Sequence, residues 1–161
     1  MRKIGLHVRL TSSFSDLLRV AVSLHMPIFQ CFFITKAGSV IELSDEEIAS
    51  ARAFMQDHFS FRYVHASYWS NLAGIKQSRH RVLMKELDLA RRLEFTHIIM
   101  HAGSAKGARD RREGIDALAK AVNGLIKEDD ALKIVLENTA YHDMSIGGSF
   151  KDFYELLQKS G

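Results

Sequence analysis

The chain has 161 residues, of which 47% are hydrophobic and 25% charged, with one proline and one cysteine. This composition is typical of a globular chain with a substantial core, and it excludes disordered, collagen-like and disulfide-stapled proteins. Lysine and arginine outnumber aspartate and glutamate by 22 to 19, and this net charge of +3 permits a nucleic-acid partner without requiring one. The first residues lack a signal-peptide pattern and no apolar run approaches about 18 residues, so we expect a cytoplasmic protein with no membrane partner.

Short apolar runs alternate with longer amphipathic segments along the chain. The predicted strands are, in order, 3–8, 28–34, 61–64, 95–100 and 132–136. The first predicted helix begins at Phe14, and the second is opened by a capping box formed by Ser44 and Glu47. The other three predicted helices span 75–93, 109–127 and 150–157.

Strict alternation of strands and helices predicts a parallel sheet with right-handed crossovers. Such a sheet is either open and doubly wound or part of a (β/α) barrel. The first turn, HVRLTSS, lacks GxGxxG, and the chain has no GxxxxGK[ST], so the barrel is favoured. The predicted fold class is therefore α/β of the TIM-barrel type, a single incomplete domain over 1–161 with about five of the eight βα units.

Three residues of metal-binding type directly follow three successive predicted strands. His65, His101 and Glu137 are spaced 36 residues apart each time. Because parallel strands end at the same edge of a sheet, we expect these side chains to lie close together. Imidazole nitrogen and carboxylate oxygen suit Zn²⁺ and Mn²⁺. The sequence therefore predicts a metal site here, although a single such histidine is more often structural, and His7 ends the first strand in a similar position.

Other polar residues have simpler interpretations. Cys31 lies within an apolar strand and is expected to be buried. Arginines of the third and fourth helices are expected to form a solvated face with acidic residues that include Glu86 and Glu94. Nucleic-acid contact through these helices is the alternative.

Three segments, VHASYWSNL (64–72), IIMHAGS (98–104) and VLENTA (135–140), resemble the endonuclease IV family of apurinic/apyrimidinic endonucleases in sequence and order. The resemblance extends to MRKIGLHV at the start and to SIGGSFKDFYELL after the third segment. It implies a (β/α)₈ barrel with three zinc ions, and hydrolysis of the phosphodiester 5′ to an abasic site in DNA repair. It also implies that His65 and His101 bind one zinc, while Glu137 bridges that zinc to a neighbour and is the catalytic candidate.

The resemblance also implies DNA contacts. Tyr68 and Asn71 match a loop that the family presses into the minor groove, and Trp69 occupies an intervening wedge position. Inserting such a side chain between base pairs costs unstacking free energy, and this cost is smallest where a base is already missing. Packing of Trp69 on the next helix is the alternative. His7 and Lys36 are further candidates for DNA contact.

The chain departs from the family pattern in two loops. HVRLTSS replaces a segment of small residues and paired glycines, and FITKAGSVIELS keeps Thr35 and Lys36 but lacks the Arg- and Trp-containing stretch. The chain supplies ligands for about one zinc ion, with manganese as the alternative metal. We expect further strands and ligands to come from a chain continuation, a second polypeptide or a homo-oligomer, and the 161-residue chain to be nearly inactive alone.

Two other functions are compatible with the pattern. Sugar isomerases and epimerases of the xylose-isomerase-like barrels also place histidine and glutamate around a divalent metal at strand ends. A remnant that binds DNA or a partner without catalysis is the third hypothesis.

Overall fold

A computed structural model describes residues 3–68, 70–75, 80–126, 131–140 and 142–160. The strands in these ranges are β1 (Gly5–His7), β2 (Ile28–Cys31), β3 (Phe61–His65), β4 (His97–His101) and β5 (Lys133–Glu137). The helices are α1 (Phe14–Ser23), α2 (Asp45–His58), α3 (His80–Arg92), α4 (Arg111–Leu125) and α5 (Phe150–Leu157). Strands and helices alternate as the sequence predicts.

The strand order distinguishes between the two predicted architectures. The sheet runs β1-β2-β3-β4-β5, and every neighbouring pair is parallel. A doubly wound sheet reverses its strand order at a switch point, and this sheet has no reversal among the described strands. Right-handed crossovers between consecutive strands place the helices on one face and leave the other face as a barrel interior. The prediction of a partial TIM barrel is therefore confirmed.

The hydrophobic core lies between the sheet and the helices. Aromatic rings from α1, β2 and the segments that flank the strands meet there, with ring centroids 6.1 Å apart for Phe14 and Phe33 and 5.1 Å apart for Phe33 and Phe95. Cys31 is fully buried, as predicted, and burial raises the pKa of its thiol. Within the described ranges, no helix has both the length and the apolar character needed to cross a bilayer.

The capping pair predicted for α2 is present. The Ser44 hydroxyl accepts a hydrogen bond from the Glu47 N–H at 3.2 Å, and the Glu47 carboxylate accepts one from the Ser44 N–H at 2.8 Å. These two bonds satisfy main-chain donors that the first helical turn leaves unpaired, so the start of α2 is fixed.

The second strand is shorter than predicted, because its pairing with β3 ends at Cys31. Ile34 instead forms an antiparallel bridge with Val40. A tight turn joins them, in which the Thr35 N–H donates to the Ser39 carbonyl at 2.8 Å. Gly38 has a φ of 82°, a conformation that glycine adopts without the steric cost of a side chain. Phe32 and Ile34 face the space at the carboxyl ends of the strands, whereas Phe33 between them is buried in the core.

Candidate metal centre

The predicted ligands occupy the last positions of three adjacent strands. His65 ends β3, His101 ends β4 and Glu137 ends β5. His101 and Glu137 are register partners. The structure brings one ligand atom from each residue within 4.8 Å of the other two. A single cation could therefore contact all three side chains.

The orientation of His65 is fixed by the main chain of the residue that follows it. Its Nδ1 lies 2.7 Å from the Ala66 carbonyl oxygen, which can only accept, so the Nδ1–H must donate. In the neutral ring, Nε2 then carries a lone pair. That nitrogen faces Glu137 Oε2 at 3.0 Å. Two acceptors at this distance repel unless a proton or a metal ion lies between them.

His101 completes the group with a buried atom that lacks a partner. Among the described residues, its Nε2 has no hydrogen-bond partner. The nearest carboxylate oxygen, Glu137 Oε2, lies 3.7 Å away, which is beyond a hydrogen bond. Leaving a buried polar atom unsatisfied costs about 1–3 kcal/mol. A metal ion would satisfy this nitrogen, so the donor set fits a borderline cation such as Zn²⁺ or Mn²⁺.

Aromatic rings surround the two imidazoles. The Tyr68 ring stacks on His101 with centroids 5.2 Å apart and lies 5.4 Å from the His65 ring. Tyr68 is 70% exposed, so it presents an accessible aromatic surface beside the candidate ligands. Phe32 lies 5.1 Å from the His65 ring and 6.0 Å from the Tyr68 ring, so the three rings form one cluster. These rings limit the directions from which a ligand can approach the site.

Glu86 corrects one expectation from the sequence. It was expected on a solvated, ion-paired face, but it is completely buried. Its carboxylate accepts hydrogen bonds from the N–H of Ser67 at 3.0 Å and from the Ser67 hydroxyl at 3.1 Å. Burial raises the pKa of Glu86 to about 7, and the bonds from Ser67 oppose that rise. The helical stripe that includes Leu83 and Leu87 contains Glu86, which is the signal that could have identified it.

Asn71 joins two loops at the site. Its Oδ1 accepts from the Ser104 N–H at 2.7 Å, and its Nδ2 donates to the Ser104 carbonyl at 2.9 Å. Both amide atoms therefore bind the chain that follows β4. A DNA contact through Asn71 stays a prediction, and it would have to form with these bonds in place.

The remaining candidates lie at the same edge. His7 ends β1, and its Nδ1 accepts from Gln30 Nε2 at 2.8 Å. Burial lowers the pKa of His7, with smaller contributions from His65 and Arg9. Lys36 is exposed in the turn after β2. Trp69 lies outside the described residues, and its role, like the other DNA contacts, stays a prediction.

A family model described as a xylose isomerase-like TIM barrel matches residues 19–161. The chain belongs to this family. Within the xylose isomerase-like TIM barrel family, it is similar to a probable endonuclease 4 of Thermotoga maritima. The two are 28% identical over 155 residues, which is 91% of this chain and 54% of that protein.

Two solved structures share the fold of this chain. Endonuclease IV from Thermus thermophilus matches with a TM-score of 0.80 and 21% identity, over 99% of this chain and 60% of that one. A xylose isomerase domain protein from Planctomyces limnophilus matches with a TM-score of 0.65 and 16% identity, over 96% of this chain and 58% of that one. This chain spans 54% and 59% of the length of two curated relatives named probable endonuclease 4.

Proposed function

We propose that this chain contributes to metal-dependent hydrolysis of phosphodiester bonds at abasic sites in DNA. The observation that carries the proposal is the convergence of His65, His101 and Glu137 within motifs that resemble those of endonuclease IV. The similarity to proteins named endonuclease 4 supports the same activity.

The ligands have distinct roles in this proposal. His65 and His101 would hold a divalent cation through their Nε2 atoms, and Glu137 would hold it through a carboxylate oxygen. Such an ion supplies Lewis-acid polarisation and neutralises charge that develops on phosphate oxygens. The bond from His65 Nδ1–H to the Ala66 carbonyl keeps the ring in the tautomer that a metal ligand needs. The Zn²⁺ assignment rests on the nitrogen-rich donor set.

The DNA strand would cross the carboxyl edge of the sheet. Tyr68 offers an exposed ring at the ligands, and a ring of this kind stacks on a base or on the sugar of an abasic nucleotide. Trp69, Asn71, His7 and Lys36 are the further contacts that we propose. Because phosphate contacts by basic residues release counterions, binding is expected to weaken as salt rises.

The first experiment removes a metal ligand with little change of shape. We expect Glu137→Gln to weaken Zn²⁺ binding by about 10–100-fold, since losses of this kind at metal sites are typical. His65→Ala and His101→Ala should lose the same ion. His142→Ala, at an exposed histidine in the loop after β5, is the matched control. Calorimetric titration with Zn²⁺ and elemental analysis measure the effect.

Hydrolysis is then measured on a fluorescent duplex with one abasic site, at high protein concentration. We expect slow cleavage that requires the metal, is lost in Glu137→Gln and persists in His142→Ala. Cleavage that is independent of Glu137 would overturn the proposed site. Turnover of a panel of ketoses without cleavage of the duplex would instead assign the chain to sugar isomerisation.

A further inference from the structure

A cavity of about 420 Å³ lies beside the metal ligands, at the carboxyl ends of β1, β2 and β3. Phe32 and Tyr68 form the wall that it shares with the metal centre, because both rings also pack against His65. A molecule in this cavity would therefore lie next to the three ligands.

Two cations line the cavity. Arg9 follows β1 and Lys36 follows β2, and both are exposed. Among the described residues, neither forms an ion pair with a carboxylate and no acidic side chain lines the cavity. Two like charges that share a cavity without an acidic partner favour a bound anion.

Main-chain hydrogen bonds fix the segments that carry these two residues. The turn of residues 35–39, closed by the bond from the Thr35 N–H to the Ser39 carbonyl, carries Lys36. The N–H of Val8 donates to the Gln30 carbonyl at 2.7 Å, so the residue next to Arg9 is tied to β2. The two charges are therefore presented from backbone segments that are bonded to the sheet or closed on themselves.

The rest of the lining is largely apolar. Leu10, Phe32 and Ile34 form this part of the wall, and Tyr68 adds an aromatic ring with a hydroxyl group. A cavity that combines an apolar wall with two cations fits a ligand with an anionic group on a less polar body. Arginine pairs with phosphate through its planar fork, and lysine contributes a point charge.

We propose that this cavity binds the phosphate ester of a sugar, with Arg9 and Lys36 on the phosphate and the apolar wall against the sugar ring. The sugar phosphate could come from two sources. The first is a DNA strand at an abasic site, and for this source the inference rests on the proposed function. A free sugar phosphate has the same chemistry and is the second source.

The test measures binding in the presence of EDTA, so that it does not depend on the metal. The probes are a fluorescent duplex that contains a tetrahydrofuran abasic analogue, and ribose 5-phosphate. The variants are Arg9→Gln and Lys36→Gln. Lys106→Gln is the matched control, because Lys106 is an exposed lysine in the loop after β4 and does not line the cavity. Circular dichroism verifies that each variant is folded.

We expect Arg9→Gln and Lys36→Gln each to weaken binding by about 10-fold, as loss of a charge-assisted contact does. With the duplex, each should also reduce the slope of log affinity against log salt by about 1. Lys106→Gln should change neither quantity. If the cavity variants lose no more affinity than Lys106→Gln for both probes, the cavity proposal is wrong.

The outcomes separate the two proposals. Weaker binding of the duplex in the cavity variants supports both. A loss confined to ribose 5-phosphate supports the cavity with a free sugar phosphate as its ligand, and excludes the cavity as a contact of the DNA strand. Metal-dependent cleavage that is lost in Glu137→Gln supports the proposed function whatever the affinity of the cavity variants, whereas unchanged affinity of both variants for both probes overturns the cavity.

Discussion

Glu86 is a carboxyl group without solvent contact that supports a loop of the candidate metal centre. It holds both the N–H and the hydroxyl of Ser67, two residues after His65 and directly before Tyr68. Hydrogen bonds to the carboxylate lower its pKa while burial raises it, and burial dominates. The charge state of one core residue is therefore coupled to the loop that carries the exposed aromatic ring.

This coupling predicts a pH dependence of stability. The pKa of Glu86 is about 7 in the folded protein against an ordinary value of 4.5. Between these pH values only the folded chain holds the proton, so its ionisation lowers the free energy of unfolding as pH rises. The loss amounts to about 3 kcal/mol, since each unit is worth about 1.4 kcal/mol.

Glu86→Gln should remove this loss, because the amide keeps an acceptor for the Ser67 N–H but does not titrate. Urea unfolding from pH 4.5 to 7.5 measures the difference between variant and wild type. Asp88→Asn, on the exposed side of the same helix, is the control and should leave the profile unchanged. A profile for Glu86→Gln that is parallel to the wild-type profile would contradict the prediction.

The loops after β3 and β4 form one unit through Asn71 and Ser104. Gly103, with a φ of 91°, permits this contact. A Cβ atom at Gly103 would lie 2.1 Å from Asn71 Oδ1. Gly107 has a similar φ of 88° but no atom within 4 Å of such a Cβ.

Alanine substitutions at Gly103 and Gly107 therefore distinguish the stability lost through backbone strain from the stability lost through a steric clash. Gly107→Ala should cost about 1–2 kcal/mol, the strain of a left-handed residue with a side chain. Gly103→Ala should cost about 3 kcal/mol or more, since it also breaks two hydrogen bonds in a part-buried site. Urea unfolding of both variants gives the comparison. Equal losses would exclude the clash with Asn71 as a source of destabilisation.

The elements and the convergence of the three candidate ligands could be predicted from the sequence because both follow from short-range patterns. Once the strands are parallel, residues that end them share an edge, so the approach of His65 to Glu137 needs no further information. The end of β2 could not be predicted in this way, because a bridge between Ile34 and Val40 draws the apolar run out of the sheet. The cavity beside Arg9 depends on how three loops pack against one another. Short sequence patterns do not encode this packing, so the cavity could not be predicted.

On the scale of the molecule, a metal ion would connect β3, β4 and β5. Three donor atoms predict one ion per chain, and native mass spectrometry counts it. At about 100 times its Kd, Zn²⁺ should add roughly 2.7 kcal/mol and raise Tm by about 5–10 °C. Glu137→Gln should lose most of this rise, whereas His142→Ala should keep it. An unchanged wild-type Tm at saturating Zn²⁺ would show that no such connection forms.

The order β1-β2-β3-β4-β5 also has a consequence for synthesis on the ribosome. Each strand pairs with the one made just before it, so the sheet can grow one unit at a time as the chain emerges. The donor atoms come from the third, fourth and fifth strands, and the last of them, Glu137, emerges with β5. A tightly held ion thus cannot template the early sheet. It can bind all three donors only after the fifth strand has paired with the fourth. Its main effect is therefore to slow the dissociation of the fifth strand from the sheet.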